Sequence, residues 1–133
     1  MRFVRYLFLS TVLMLMLSGC AISEGTLEDM CYDYAMITTQ EDLDVFMQGY
    51  QTKMTTECLY DLMGETHGSN QDLSRTLTVY STAYDRKENR YTYFCYRVSN
   101  IGFSNDVYIT LTLSKDRSKV EKIDQTVMFS APY

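Results

Sequence analysis

Positive charge is in short supply along these 133 residues, where 12 Lys+Arg stand against 17 Asp+Glu for a net charge of −5. Without a basic surplus the chain lacks the electrostatic term that dominates nucleic-acid binding, and that partner class is excluded. No apolar run reaches the roughly 20 residues that a bilayer-spanning helix requires. Histidine occurs once, at His67, and no CxxC or Cys/His spacing points to zinc or to a dithiol redox centre. Phosphate-binding glycine loops, GxSxG and HExxH are missing as well. These gaps argue against an enzyme, against a bound cofactor or metal, and against a small-molecule substrate.

What is present fits one small globular domain. Hydrophobic residues make up 46% and charged residues 22%, so a packed core is expected and disorder is not. The apolar residues are unevenly spread. Met1, Arg2 and Arg5 form a basic start, and residues 6–17 (YLFLSTVLMLML) form an apolar run of signal-peptide length. Leu17-Ser18-Gly19-Cys20 follows at once.

That tetrapeptide resembles the lipobox of bacterial lipoproteins. The resemblance implies cleavage between Gly19 and Cys20, diacylation of the Cys20 sulfur and acylation of the new amine. Several chains on one residue give stable attachment, because each buried CH₂ adds about 0.8 kcal/mol. Ala21, rather than aspartate, comes next, and by analogy with sorting in enteric-type bacteria the destination is the outer membrane. The expected organisation is therefore a signal peptide over residues 1–19, a short lipidated tether over 20–26, and one domain over 27–133 on the periplasmic side.

Removing the signal leaves 10 Lys+Arg against 17 Asp+Glu, net −7. Residues 20–66 carry ten acids against Lys53 alone, whereas residues 67–133 carry nine basic residues against seven acids. Such asymmetry either orients the protein on a partner or reflects solvated helix faces followed by ordinary strands. With Cys20 used by lipid, Cys31, Cys58 and Cys95 remain, and an odd set permits at most one internal disulfide. Cys31 with Cys58 is the expected pair, both lying on helical segments, and three buried thiols are the alternative.

Hydrophobic periodicity divides the chain in two. Leu27, Met30, Tyr34 and Ile37 recur at helical spacing, and so do Leu43, Phe46, Met47 and Tyr50 after the capping signals at Thr38 and Thr39, with Gly49 placed to stop that second helix. A third start at Thr55 or Thr56 precedes a stripe of Leu59, Leu62 and Met63 and a stop at Gly64. From Leu73 the period becomes two, giving strands over residues 73–84, 90–99, about 107–113 and 120–129 joined by short turns. Two or three helices followed by three or four strands predict an α+β fold, with helices on one face of an antiparallel meander as a two-layer sandwich.

The helix over residues 53–64 (KMTTECLYDLMG) and the stretch over 107–123 (VYITLTLSKDRSKVEKI) resemble the SmpA/OmlA family, the BamE-like outer-membrane lipoproteins. In that family a Gly-Met-Thr-like start leads through a short amphipathic helix to Leu-Leu-Gly, and an alternating strand with a charged turn closes the sheet. The likeness covers about residues 40–127 and departs at Lys53, where the family has glycine, and at Thr66 or His67, where it has proline. It implies an accessory lipoprotein that supports outer-membrane barrel assembly or envelope integrity through protein partners, with no catalytic residue to carry over.

Two local features complete the reading. His67 could pair with Cys58, but no nucleophile motif surrounds either, and the acids Glu41, Asp42 and Asp44 are explained by a helix N-terminus. Tyrosine is abundant, with 12 in all, and Tyr91, Tyr93 and Arg97 share one face of the second strand, opposite Phe94, Tyr96 and Val98. Tyr91, Tyr93 and Arg97 are the candidate partner-binding surface, and the alternative makes these tyrosines core residues whose hydroxyls reach the edge. The leading functional expectation is a lipid-anchored protein-binding factor. The alternative is a small lipoprotein inhibitor or exclusion factor directed at a secreted or foreign enzyme or secretion component.

Overall fold

Helix-start chemistry sets the first half of the fold. In the computed structural model, which describes residues 20–65, 75–99 and 104–129, three helices precede four strands. Helix α1 (Glu24–Ala35) starts where the Ser23 hydroxyl accepts the Thr26 amide at 3.1 Å, inside the stretch 20–26 expected to be tether. Helix α2 (Gln40–Tyr50) starts at Thr39, whose hydroxyl takes the Asp42 amide, while Asp42 reaches back to Thr38 in the expected box. Helix α3 (Thr56–Met63) is capped by Thr55 and ends at Gly64.

Two stops and one stripe differ from the periodic reading. Helix α2 runs through Gly49 to Tyr50 and on into a 3₁₀ turn, Gln51–Lys53. Tyr50 holds that extension by packing its ring 5.0 Å from Phe46 and donating its hydroxyl to Asp33 on α1. In α3 the buried residues are Cys58 and Leu62, with Leu59 half-covered, whereas Met63 is 63% exposed. The short helix meets the sheet along a narrow line.

Strands β1 (Arg75–Asp85), β2 (Arg90–Ser99), β3 (Ser104–Leu113) and β4 (Val120–Phe129) form one antiparallel sheet in chain order. Helix α1 packs on β3 and α3 on β4, with α2 bridging α1 and α3. The fold is α+β, helices against one face of a meander. Met54 also makes a parallel bridge to Val120, and the Thr55 amide donates to the Val120 carbonyl at 3.0 Å, tying the entry of α3 to the start of β4.

The buried face of the sheet carries Val107, Ile109, Leu111 and Leu113 of β3, Val120 and Ile123 of β4, and Tyr91, Tyr93 and Cys95 of β2. Leu27, Met30 and Cys31 of α1, Leu43 and Phe46 of α2 and Leu62 of α3 close over it. Strand β1 breaks the expected alternation, because Val79 pairs with Cys95 and Ser81 with Phe94, leaving Tyr80 as an extra residue in a bulge. The bulge reverses the faces, so Tyr84 joins Leu77 and Val79 on the helix side rather than Tyr80.

The tether expected over residues 20–26 is largely docked. Ile22 is buried, its amide donates to the Arg117 carbonyl at 2.9 Å, and α1 begins at Glu24. Only Ala21 separates this docked residue from Cys20. The signal-peptide reading of residues 1–19, the first residues of the expected strand at Leu73, and His67 lie outside the described residues.

Core position predicts stability. Leu111→Ala, at a fully buried site on the central strand, is expected to cost about 2–5 kcal/mol in chemical denaturation. Met63→Ala, on the exposed side of α3, should stay within about 0.5 kcal/mol of wild type.

Candidate functional site

Cross-strand register decides which tyrosines face solvent. Tyr91 and Tyr93 pair with Leu111 and Ile109, both buried, and are themselves only 5% and 2% exposed. The expected surface of Tyr91, Tyr93 and Arg97 is therefore the inner face of the sheet. Arg97 Nη1 donates to the Ala35 carbonyl at 3.2 Å, serving an orphan acceptor at the end of α1. All three residues join sheet to helix.

Among the described residues, none packs over the opposite face. Its central rows run Ser81, Phe94, Tyr108, Thr126 and Thr78, Tyr96, Asp106, Met128 across the four strands. Phe94 and Tyr108 meet edge to face at 5.1 Å, and Tyr80 from the bulge lies in the field of Asp106 and Tyr108. Tyr80, Tyr96 and Met128 are 56%, 43% and 49% exposed. A rigid sheet thus presents aromatic and apolar side chains to solvent, bordered by threonines. The signal for this face was in the β2–β3 register, since residues opposite the Val107, Ile109 and Leu111 set must be inside.

A second constellation occupies the sheet end where the β1–β2 and β3–β4 turns lie side by side. Asn89, at φ 53°, donates its side-chain amide to the Ser114 carbonyl at 2.7 Å, and its own carbonyl accepts the Leu113 amide at 2.9 Å. Arg117, at φ 62°, lays its guanidinium 5.2 Å from the Tyr84 ring centre and 5.7 Å from that of Tyr91, and donates to the Tyr91 hydroxyl at 2.7 Å. Tyr91 in turn donates to Glu24 at 3.4 Å. A cavity of about 500 Å³ opens here, lined by Arg86, Lys87, Lys115 and Arg117 among others.

Another cleft, about 560 Å³, lies between α1 and α2 against Asp33, Asp42, Phe46 and Tyr50. Hydrogen bonds from Thr38 and Thr39 hold Asp42 below the usual carboxylate range, as a helix-capping acid requires. Asp44 accepts from Gln40 on the same helix. Among the described residues no three His, Cys, Asp or Glu side chains converge as a metal site, and no helix is long and apolar enough to cross a membrane.

The cysteines also differ from expectation. Cys31, Cys58 and Cys95 are buried free thiols, and the neighbour that shares a hydrogen bond with Cys31 is Cys95 across the helix–sheet boundary, not Cys58. That bond, together with burial, pushes the Cys31 thiol well above its ordinary range. Burial, then the carboxylates of Asp61 and Glu65, raises Cys58 to about 11. Two helical cysteines do not meet merely because their helices are neighbours, since each points its side chain at the sheet from a different place along it.

Compared with known proteins, the chain matches no protein-family model, no curated protein and no solved structure. The likeness to the SmpA/OmlA lipoproteins rests on its helix and hairpin residues alone.

Two measurements probe these sites. Mild oxidation followed by peptide mapping should return Cys31 linked to Cys95 with Cys58 still alkylatable, and a Cys31 to Cys58 link would contradict the arrangement. Asp116 is held down at about 2 by the Ser118 hydroxyl and amide and the Ser114 hydroxyl, so its bonds are fully present above the ordinary value of 3.8 and lost as pH falls through about 2. The Ser118 amide resonance should therefore hold its position down to pH 3.8, and a midpoint there rather than near 2 would refute Asp116 as the acceptor that holds this turn.

Proposed function

We propose that this chain is a lipid-anchored protein of the bacterial outer membrane that works by binding other proteins. Acyl groups on Cys20 would hold it at the periplasmic surface, and in role it would stand with the BamE-like lipoproteins, as an accessory of barrel assembly or envelope integrity. The lipobox residues Leu17 to Cys20 support the anchor, and the exposed position of Cys20 beside a docked Ile22 suits it. The observation that carries the binding reading is the uncovered sheet face.

Rings fixed on strands present contact area at low entropic cost, and tyrosine is enriched among residues that dominate interface energy. Tyr80, Tyr96 and Tyr108 contribute nothing to the buried core, so the fold does not require an aromatic at any of these positions. Their clustering on one face of a sheet whose other face is packed gives a side of the molecule free for a partner.

The test is a mild-detergent pull-down of the tagged, acylated protein from outer membranes, beside Cys20→Ala and Tyr96→Ala/Tyr108→Ala. Barrel-assembly components are expected in stoichiometric amounts with wild type and at least about tenfold less with the face variant, the loss of one or two interface anchors. Unchanged recovery with the face variant would remove the sheet face from the interaction. Failure to recover assembly components at all would sink the accessory role.

A further inference from the structure

The mature chain carries ten Lys and Arg, and six of them, Arg86, Lys87, Arg90, Lys115, Arg117 and Lys119, stand in or directly beside the two turns at one end of the sheet. This concentration occurs in a chain whose mature net charge is −7, with the acids gathered on the helices. Two of the carboxylates at this end are engaged locally. Asp85 accepts the Lys87 and Glu88 amides and lies 3.9 Å from Arg90, while Asp116 accepts from Ser114 and Ser118. Glu24 is bound by Tyr91, which leaves Glu88 and Glu121 as the other acids near the turns.

The chain start lies at the same end. The Ile22 amide bonds to the Arg117 carbonyl, and two residues of extended chain span no more than about 7 Å, so the Cys20 sulfur is confined to the neighbourhood of the turns. Arg117 Nε is buried without a hydrogen-bond partner in the protein. It borders the cavity that Arg86, Lys87 and Lys115 also line, where Glu121 is the one carboxylate among the described lining residues.

We propose that this turn end is a membrane-seating face, whose cations take the phosphates of an anionic phospholipid surface and stand the sheet upright on the membrane holding the Cys20 lipid. The proposal rests on the anchor reading, and it adds an orientation and a headgroup chemistry to it. A juxtamembrane cation gains its attraction within a Debye length of an anionic surface. The acidic helices are repelled by the same surface, so the anchored domain has one favoured pose rather than free rotation about its tether.

The experiment uses the full chain expressed in bacteria and purified from their membranes, bound to preformed vesicles, labelled with a membrane-impermeant amine reagent and read by peptide mass spectrometry. Lys87, Lys115 and Lys119 are expected to label about fivefold more slowly on vesicles containing phosphatidylglycerol or phosphatidylserine than on phosphatidylcholine alone, the factor a single surface cation supplies. Raising the salt should erase the difference without any substitution. In the charge-reversed Arg86→Glu/Lys87→Glu/Lys115→Glu protein, all at exposed sites, Lys119 should lose its protection.

The same spectra report the N-terminal peptide. Acylated Cys20 with equal labelling on both vesicle types would overturn the seating face and leave the anchor standing. Unacylated Cys20 with protection retained on anionic vesicles would remove the anchor and uphold the face. Protection by inorganic phosphate on neutral vesicles would overturn the membrane seat in favour of a pocket for free anions.

Discussion

A dry seam between one face of the sheet and three short helices organises this protein. Among the described residues no side chain classed as polar or charged is buried; the interior is built from aliphatic side chains, thiols and tyrosine rings. Polar groups near the seam are therefore drawn to partners at its rim, with Arg117 Nε and Asn105 Oδ1 as exceptions. Tyr34 sends its hydroxyl to Glu65, Tyr91 lies between Arg117 and Glu24, and Arg97 reaches the last turn of α1. The Tyr91–Glu24 and Arg97–Ala35 contacts join α1 to the sheet at both of its ends, and Tyr34 ties it to the residue beyond Gly64. They fix its direction along the strands, and with it the place where residues 20–22 meet the domain.

The same seam explains why three helices suffice. Amphipathic segments of 8 to 12 residues are marginal alone and draw their stability from the face they bury. Each carries only two to five buried residues, and the sheet supplies the rest. Strand β1 lies beyond the helical cover, with only Leu77 and Val79 reaching the core, and the bulge at Tyr80 bends the edge it forms.

Much of this was legible in the sequence because it is locally encoded. Thr39 and Thr55 cap where their hydroxyls predict, and β2 and β4 begin and end at the expected residues. What failed was non-local. In β2 both alternating sets are apolar, so periodicity alone could not choose between Tyr91/Tyr93 and Phe94/Tyr96, and pairing to Ile109 and Leu111 makes the choice. The bulge at Tyr80 adds one residue without any glycine to mark it. The Cys31 and Cys95 neighbours come from different layers, a contact that no spacing within either element reveals. Ile22 read as tether because its partner, the Arg117 carbonyl, sits 95 residues downstream in a left-handed turn.

That last contact has the widest consequence, because it places Ile22, and Cys20 close by it, beside the cationic turns. An antiparallel meander in chain order puts its first and third turns at the same end, so cations written in two separate stretches of sequence become neighbours. The strands rise about 3.3 Å per residue, and ten residues carry the opposite end of the sheet roughly 30 Å away. A domain tethered at the turn end would hold its uncovered face edgewise to the membrane, at the height where an envelope partner approaches from the side. On this geometry the anchor, the basic turns and the aromatic face are not three independent surfaces. In the proposed pose the tether would set which end is down, the cations would keep the domain from turning about it, and the rings would face outward along the surface.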